Sequence, residues 1–133
     1  MDKMIRFGIV GFGTQGSIYA SFLTEGNEPD VERPPHCCLG AICDNDPQKE
    51  ITAKKLYPDT PFFHDWKDMV LSNAVDAIIT TVPHYLHHEI AIFCIEHGVH
   101  VLVEKPAGVR AKDVLAMNQC AASHPDVVFG IMF

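Results

Sequence analysis

Apolar and polar positions fall into short blocks along this chain, and the blocks alternate in kind. Ile5 to Val10 is a short, mostly apolar run of the sort that fills a strand buried on both faces. Thr14 to Leu23 follows as a helix-like stretch, and Cys38 to Cys43 predicts a second strand ending at Asp44. Asn45-Asp46-Pro47 reads as a turn and helix start, since proline is tolerated in a helix's first turn, and Gln48 to Leu56 is the second helix. After a loop from Tyr57 to Pro61, Phe62-Phe63 predicts a very short third strand, and Asp65 caps a short helix through Leu71. Ala77 to Val82 is the fourth strand, ended by Pro83. His84 to His97 is a helix with apolar Leu86, Ile90, Phe93 and Ile95 and a closing Gly98. His100 to Val103, Lys112 to Ser123 and Val127 to Phe133 complete the series as strand, helix and strand. Strands alternating with helices mean right-handed βαβ units, hence an α/β fold with a doubly wound parallel sheet in a single three-layer domain.

The junction between the first strand and the first helix carries the densest signal. Gly11, Gly13 and Gly16 stand in G-x-G-x-x-G spacing. In a dinucleotide site the three glycines do different things. The first turns the chain sharply, the second lets a pyrophosphate approach the backbone, and the third lets helix and strand pack closely. The helix then points free N–H groups and its positive dipole end at the phosphates. The competing reading is a tight strand-to-helix turn with no ligand; strand before and helix after favour the site.

Composition narrows the picture. A chain of 133 residues is one domain with room for a core, and at 47% hydrophobic residues it is not disordered. A net charge of −7 argues against non-specific binding to nucleic acid or to an anionic membrane. It still allows an anionic cofactor, because local N–H groups outweigh distant charge. No apolar run approaches a membrane span, and MDKMIRFGIV runs straight into the first strand without a cleavage signal, so a soluble cytoplasmic protein is expected. Five cysteines without such a signal read as reduced thiols, with Cys38, Cys43 and Cys94 as small hydrophobes. Cys37, Cys38 and Cys43 lack zinc-site spacing. Glu25 to His36 is polar and proline-rich, an exposed loop longer than such connections usually are.

Further candidates follow from topology. Asp44, at the end of the second strand, is placed to accept hydrogen bonds from ribose hydroxyls; the alternative is a turn or helix-cap aspartate. No arginine follows it, so NAD is favoured over NADP. Thr80, Thr81 and Pro83 close the fourth strand beside the switch point of the sheet, although threonines also serve as ordinary strand residues. His84, His87 and His88 share a helix start, but no third metal ligand is evident, so no metal is expected. Glu104-Lys105-Pro106 follows a buried strand, and Lys105 could polarise a substrate oxygen; a salt-bridged loop pair is the alternative.

GFGTQG, CDNDP, TVPHYLH and GVHVLVEKPAG occur here in the order seen in the glucose–fructose oxidoreductase and inositol dehydrogenase family (Gfo/Idh/MocA), which the chain resembles over essentially its whole length. The resemblance implies a Rossmann NAD(P)-binding domain over residues 1–133. It places cofactor contacts on Gly11, Phe12, Gly13, Thr14, Gln15, Gly16, Asp44, Thr80, Thr81, Pro83, His87, Glu104 and Lys105. Lys105 would lie near nicotinamide and substrate and act in catalysis. The family's second, substrate-binding α/β domain has no counterpart before Phe133. The expectation is therefore a truncated form of an oxidoreductase acting on CH–OH groups of a sugar or cyclitol, a homo-oligomer when intact and inactive alone. The alternative is a non-catalytic dinucleotide-binding or interaction module.

Overall fold

The computed structural model describes residues 4–24, 36–82, 86–104 and 111–132. In chain order the elements are β1 (Ile5–Val10), α1 (Thr14–Phe22), β2 (Cys37–Cys43), α2 (Pro47–Leu56), β3 (Phe62–Phe63) and α3 (Trp66–Leu71). These are followed by β4 (Ala77–Thr80), α4 (His87–Glu96), β5 (His100–Glu104), α5 (Ala111–Ala122) and β6 (Phe129–Met132). The strands form one six-stranded sheet in the order β3-β2-β1-β4-β5-β6, with every neighbouring pair parallel. This is the expected doubly wound Rossmann arrangement. The order reverses between β1 and β4, which places the switch point there.

Side chains alternate between two cores, one on each face of the sheet. Ile9, Ile42 and Ile79 point to the face covered by α1 and α2, where they meet Ala20, Leu23 and Ala53. Val10, Cys43, Ile78, Val101 and Val103 point to the other, where Met69, Ile90, Cys94 and Met117 of α3, α4 and α5 close over them. All four residues of β4 are buried, as a central strand of such a sheet requires. β1 and β2 are buried most completely in their last three residues. The loops that leave β1 and β2 at their carboxyl ends therefore start from buried backbone.

Local chemistry sets the ends of the elements. Asp46 caps α2 by accepting the Gln48 N–H at 2.9 Å, with Pro47 in the first turn and Lys54 and Lys55 in the last, matching the helix dipole. Asp65 caps α3 by accepting the Lys67 N–H, as its sequence position predicts.

Three predicted boundaries shift by more than one residue. β4 ends at Thr80 rather than Val82, because its neighbour β1 ends at Val10, which is the partner of Thr80. α4 begins at His87, and residues 83–85 lie outside the described part. β6 begins at Phe129, because Val127 is held in a turn by His124 and the Val128 N–H is taken by His100 Nδ1. The predicted Glu25 to His36 loop lies outside the described residues apart from His36.

Candidate functional site

The three glycines of the loop differ in what surrounds them. Gly11 has φ +97°, a conformation that L side chains rarely adopt, and a Cβ there would meet Thr81 Oγ1 at 2.9 Å. A Cβ on Gly16 would overlap the Gly11 carbonyl oxygen, so α1 packs directly on the turn. A Cβ on Gly13 would meet nothing within 4 Å. Internal packing therefore accounts for the first and third glycines, whereas the second faces open space.

Gly13 is also the N-cap of α1, and no side chain caps the helix. By helix geometry the amides of Thr14, Gln15 and Gly16 have no carbonyl of their own helix to bond. Thr14 and Gln15 are exposed. The result is a set of uncommitted donors at the positive end of a helix dipole, beside a position with no side chain.

Phe12 sits between these glycines and behaves differently. Its ring is buried, edge-on to Tyr57 at 6.4 Å, in the core beneath α1 and α2. Its N–H donates to Asp44 Oδ2 at 2.9 Å. The other oxygen of Asp44 accepts the Asp46 N–H, also at 2.9 Å. The helix cap belongs to Asp46, so the cap alternative for Asp44 falls away. Asp44 is half-buried and holds the glycine loop with one oxygen and the β2–α2 turn with the other.

Across the loop, the Thr81 hydroxyl lies 2.6 Å from the Gly11 carbonyl oxygen and 3.2 Å from that of Val10. Thr80 is fully buried with its hydroxyl unpartnered, on the face of the sheet that it shares with Ile78. His87 is buried as well, and its Nε2 sits 3.0 Å from the Val82 carbonyl oxygen, which anchors the exit from β4 under α4. His88 lies on the same helix with Nε2 4.0 Å from Asp113 Oδ1. Glu104, at the end of β5, accepts a 2.6 Å hydrogen bond from the Tyr19 hydroxyl of α1. Burial, then Glu104 itself, pushes the Tyr19 phenol up to about 12, so it stays a donor at neutral pH. Pro83, His84 and Lys105 lie outside the described residues.

A cleft of about 540 Å³ opens where the carboxyl ends of β1, β2 and β4 meet. Gly11, Gly13, Asp44 and Thr81 form one side of it. Its volume falls in the range of roughly 300–1,000 Å³ usual for small-molecule sites. The rest of the lining was not foreseen from sequence: His64, Asp65 and Trp66 after β3, with Leu86, the N-cap of α4, and Ile90 within that helix. The rule that picks out Asp44 and Thr81, position just past a strand's carboxyl end, applies equally to His64 and Asp65. Cys43 also lines the cleft, but burial pushes its thiol up to about 12, as it does that of Cys94, so both stay neutral and unreactive.

The comparisons with known proteins agree with this fold. The model of the family described as "Oxidoreductase family, NAD-binding Rossmann fold" (Gfo/Idh/MocA) matches residues 5–131. The chain is 26% identical over 117 residues to scyllo-inositol 2-dehydrogenase (NADP(+)) of Bacillus subtilis, covering 88% of this chain and 30% of that protein. It is 27% identical over 106 residues to inositol 2-dehydrogenase of Corynebacterium glutamicum, covering 80% of this chain and 29% of the relative. Among solved structures, scyllo-inositol dehydrogenase from Lactobacillus casei with bound NAD(H) and scyllo-inositol superposes with a TM-score of 0.85 at 29% identity. That match covers 97% of this chain and 36% of the other. The chain thus spans about a third of the length of the proteins it matches. With its parallel sheet, its glycine loop and a family match over nearly all of its residues, the chain belongs to the Gfo/Idh/MocA oxidoreductases, as an NAD-binding Rossmann domain of that family.

Proposed function

We propose that the cleft at the switch point takes the dinucleotide with its pyrophosphate against Gly13 and the first-turn amides of α1, and its adenosine ribose at Asp44. The single observation that carries this is the conjunction at Gly13: open space where a side chain would be, at an uncapped helix start, facing the cleft. Asp44 keeps lone pairs for ribose hydroxyls beyond the two backbone N–H groups it already accepts. Trp66 and His64 flank the adenosine side, and the nicotinamide half extends toward β4 and β5, as the two-fold layout of such sheets directs.

The intact protein, in this reading, oxidises a CH–OH group of a cyclitol or sugar. The nicotinamide supplies the hydride acceptor. Lys105 donates a hydrogen bond to the reacting oxygen, a role that rests on the family resemblance of the E-K-P element. Glu104 is held to α1 by Tyr19, so the strand end that leads into Lys105 has a fixed start. In this reading the intact protein is a cytoplasmic homo-oligomer.

Residues 1–133 alone bind the cofactor without turning substrate over. Fixing reactants side by side can account for roughly 7–11 kcal/mol of a barrier, and one lysine at the end of a strand does not fix a sugar-sized molecule. Trp66, the single tryptophan, lines the cleft and reports on it. NADH should quench its fluorescence saturably, and NAD should not be reduced with inositols, other polyols or sugars. Absence of quenching would refute the binding half, and steady reduction by the pure chain the other half.

A further inference from the structure

The glycine loop is held from both sides by the protein itself. On the β2 side, Asp44 Oδ2 accepts the Phe12 N–H at 2.9 Å, and the Cys43 carbonyl accepts the Gly11 N–H at 2.8 Å. On the β4 side, the Thr81 N–H donates to the Val10 carbonyl at 2.9 Å, and the Thr81 hydroxyl sits 2.6 Å from the Gly11 carbonyl oxygen. The residue caught between these two sides, Gly11, has positive φ. A loop in that conformation is set by what grips it.

The polarity of these groups limits what they can do for a ligand. A hydroxyl has one proton, and the shortest contact of Thr81 directs it to the Gly11 carbonyl. Only lone pairs of that hydroxyl remain for the cleft. A pyrophosphate at neutral pH is itself almost wholly an acceptor, so it gains no hydrogen bond from Thr81 while the contact holds. Asp44 is acceptor-only and negative, which suits ribose hydroxyls and repels phosphate. Both residues line the cleft, yet neither has a donor to offer a pyrophosphate.

We propose that Thr81 is a positioning residue: through the Gly11 and Val10 carbonyls it holds the glycine loop so that Gly13 and the first-turn amides of α1 face the cleft, with Asp44 as the matching brace through Phe12. The inference rests on the reading of the cleft as the dinucleotide site. It separates two roles that the sequence pattern merges, contact with the ligand and shaping of the loop that makes the contact.

Two probes test it on the chain as it stands: NADH, followed by Trp66 quenching, and inorganic pyrophosphate, followed by its displacement of NADH. Thr81→Val keeps the shape of the side chain and removes its hydroxyl. It should weaken both probes alike, by about tenfold, the scale of one lost hydrogen bond. Thr81→Ser restores the hydroxyl and should bring both back to within about threefold of wild type. Asp44→Asn and Asp44→Ala remove the same charge, but only asparagine keeps an oxygen to accept the Phe12 N–H. Pyrophosphate should therefore bind Asp44→Asn more tightly than Asp44→Ala, and this pair carries the test if Thr81→Val does not fold. Wild-type affinity in Thr81→Val, no recovery in Thr81→Ser, or equal affinities in the Asp44 pair would overturn the brace and leave the cofactor site standing. A wild-type chain that does not bind NADH would overturn the cofactor site, and the brace with it.

Discussion

Two hollows of nearly equal size lie at opposite ends of the sheet: about 540 Å³ at the carboxyl ends of the strands and about 500 Å³ at the amino ends. They differ in what their polar groups are doing. At the amino end Arg6 and Asp76 close on each other, with the Arg6 N–H, Nε and Nη2 all donating to the Asp76 carboxylate at 2.9–3.1 Å. Arg6 Nη1 donates to the Asn73 carbonyl, and His100 Nδ1 accepts the Val128 N–H. These contacts fasten strand ends to one another. At the carboxyl end the equivalent contacts, from Asp44 and Thr81, fasten a loop and leave the first-turn amides of α1 open. Size does not distinguish the two hollows; the presence of uncommitted donors at a helix start does.

That contrast is broken most strongly at the glycines. Gly16→Ala drives a methyl group into the Gly11 carbonyl and should destabilise the fold by about 3 kcal/mol or more, read as a lower urea midpoint. Gly13→Val places its side chain in the open cleft instead. It should fold normally yet weaken NADH binding by at least about tenfold, checked by calorimetric titration. Arg6→Ala, which removes the ion-pair partner of Asp76 at the other hollow, should lower the melting temperature and leave the NADH dissociation constant where it was. A weakened NADH affinity in Arg6→Ala would blur the distinction between the two ends.

The glycine comparison also shows what was legible in the sequence. The three glycines, the buried runs of β1 and β4 and the aspartate after β2 are visible because each needs one residue type at one position. The work of Phe12 was hidden: an apolar residue between two glycines looks like a ligand contact, and only the packing of Tyr57 against it shows a core residue. Asp44 and Asp46 stand two positions apart and both suit a cap, and the choice between them depends on where the Phe12 N–H points. β3 and the Asp65 cap are both legible, but a two-residue strand followed by a capping aspartate reads as structure, so His64, Asp65 and Trp66 do not stand out as part of a site. Thr81 reads as strand because it is β-branched, but β1 ends one position earlier, opposite Thr80, and the Thr81 hydroxyl goes to the Gly11 carbonyl.

A second comparison sharpens the ligand end. In the proposed site Asp44 meets the ribose, so NADPH, with a phosphate dianion there, should bind at least about tenfold more weakly than NADH. Parallel titrations decide this, and equal affinities would move the ribose away from Asp44. The B. subtilis relative carries NADP(+) in its name, so the preference is a property to be measured on this chain rather than carried over.

Smaller effects concern the whole domain. Cys43 and Cys94 have thiols raised from 9.0 to about 12 by burial, and the Tyr19 phenol is raised from 10.0 to about 12. All three favour the protonated form in the folded state. Their stabilisation is therefore complete below pH 9 and is lost as pH rises from 9 toward 12. Urea midpoints taken across that window should fall with rising pH, and a flat profile would contradict the burial of these groups. The sheet edge at β6 and the exposed Val128 beside it should promote weak self-association, seen as a rise in sedimentation coefficient with concentration. A concentration-independent monomer would remove that expectation.

The most direct test of the central claim is an amide-resolved NMR titration of the chain with NADH. Saturable shifts are expected at Gly13, Thr14, Gln15, Asp44, Trp66 and Thr81, with Asn73, His97 and His100 at the opposite hollow unmoved. Shifts centred on the amino-end hollow, or none at the glycine loop, would contradict that claim.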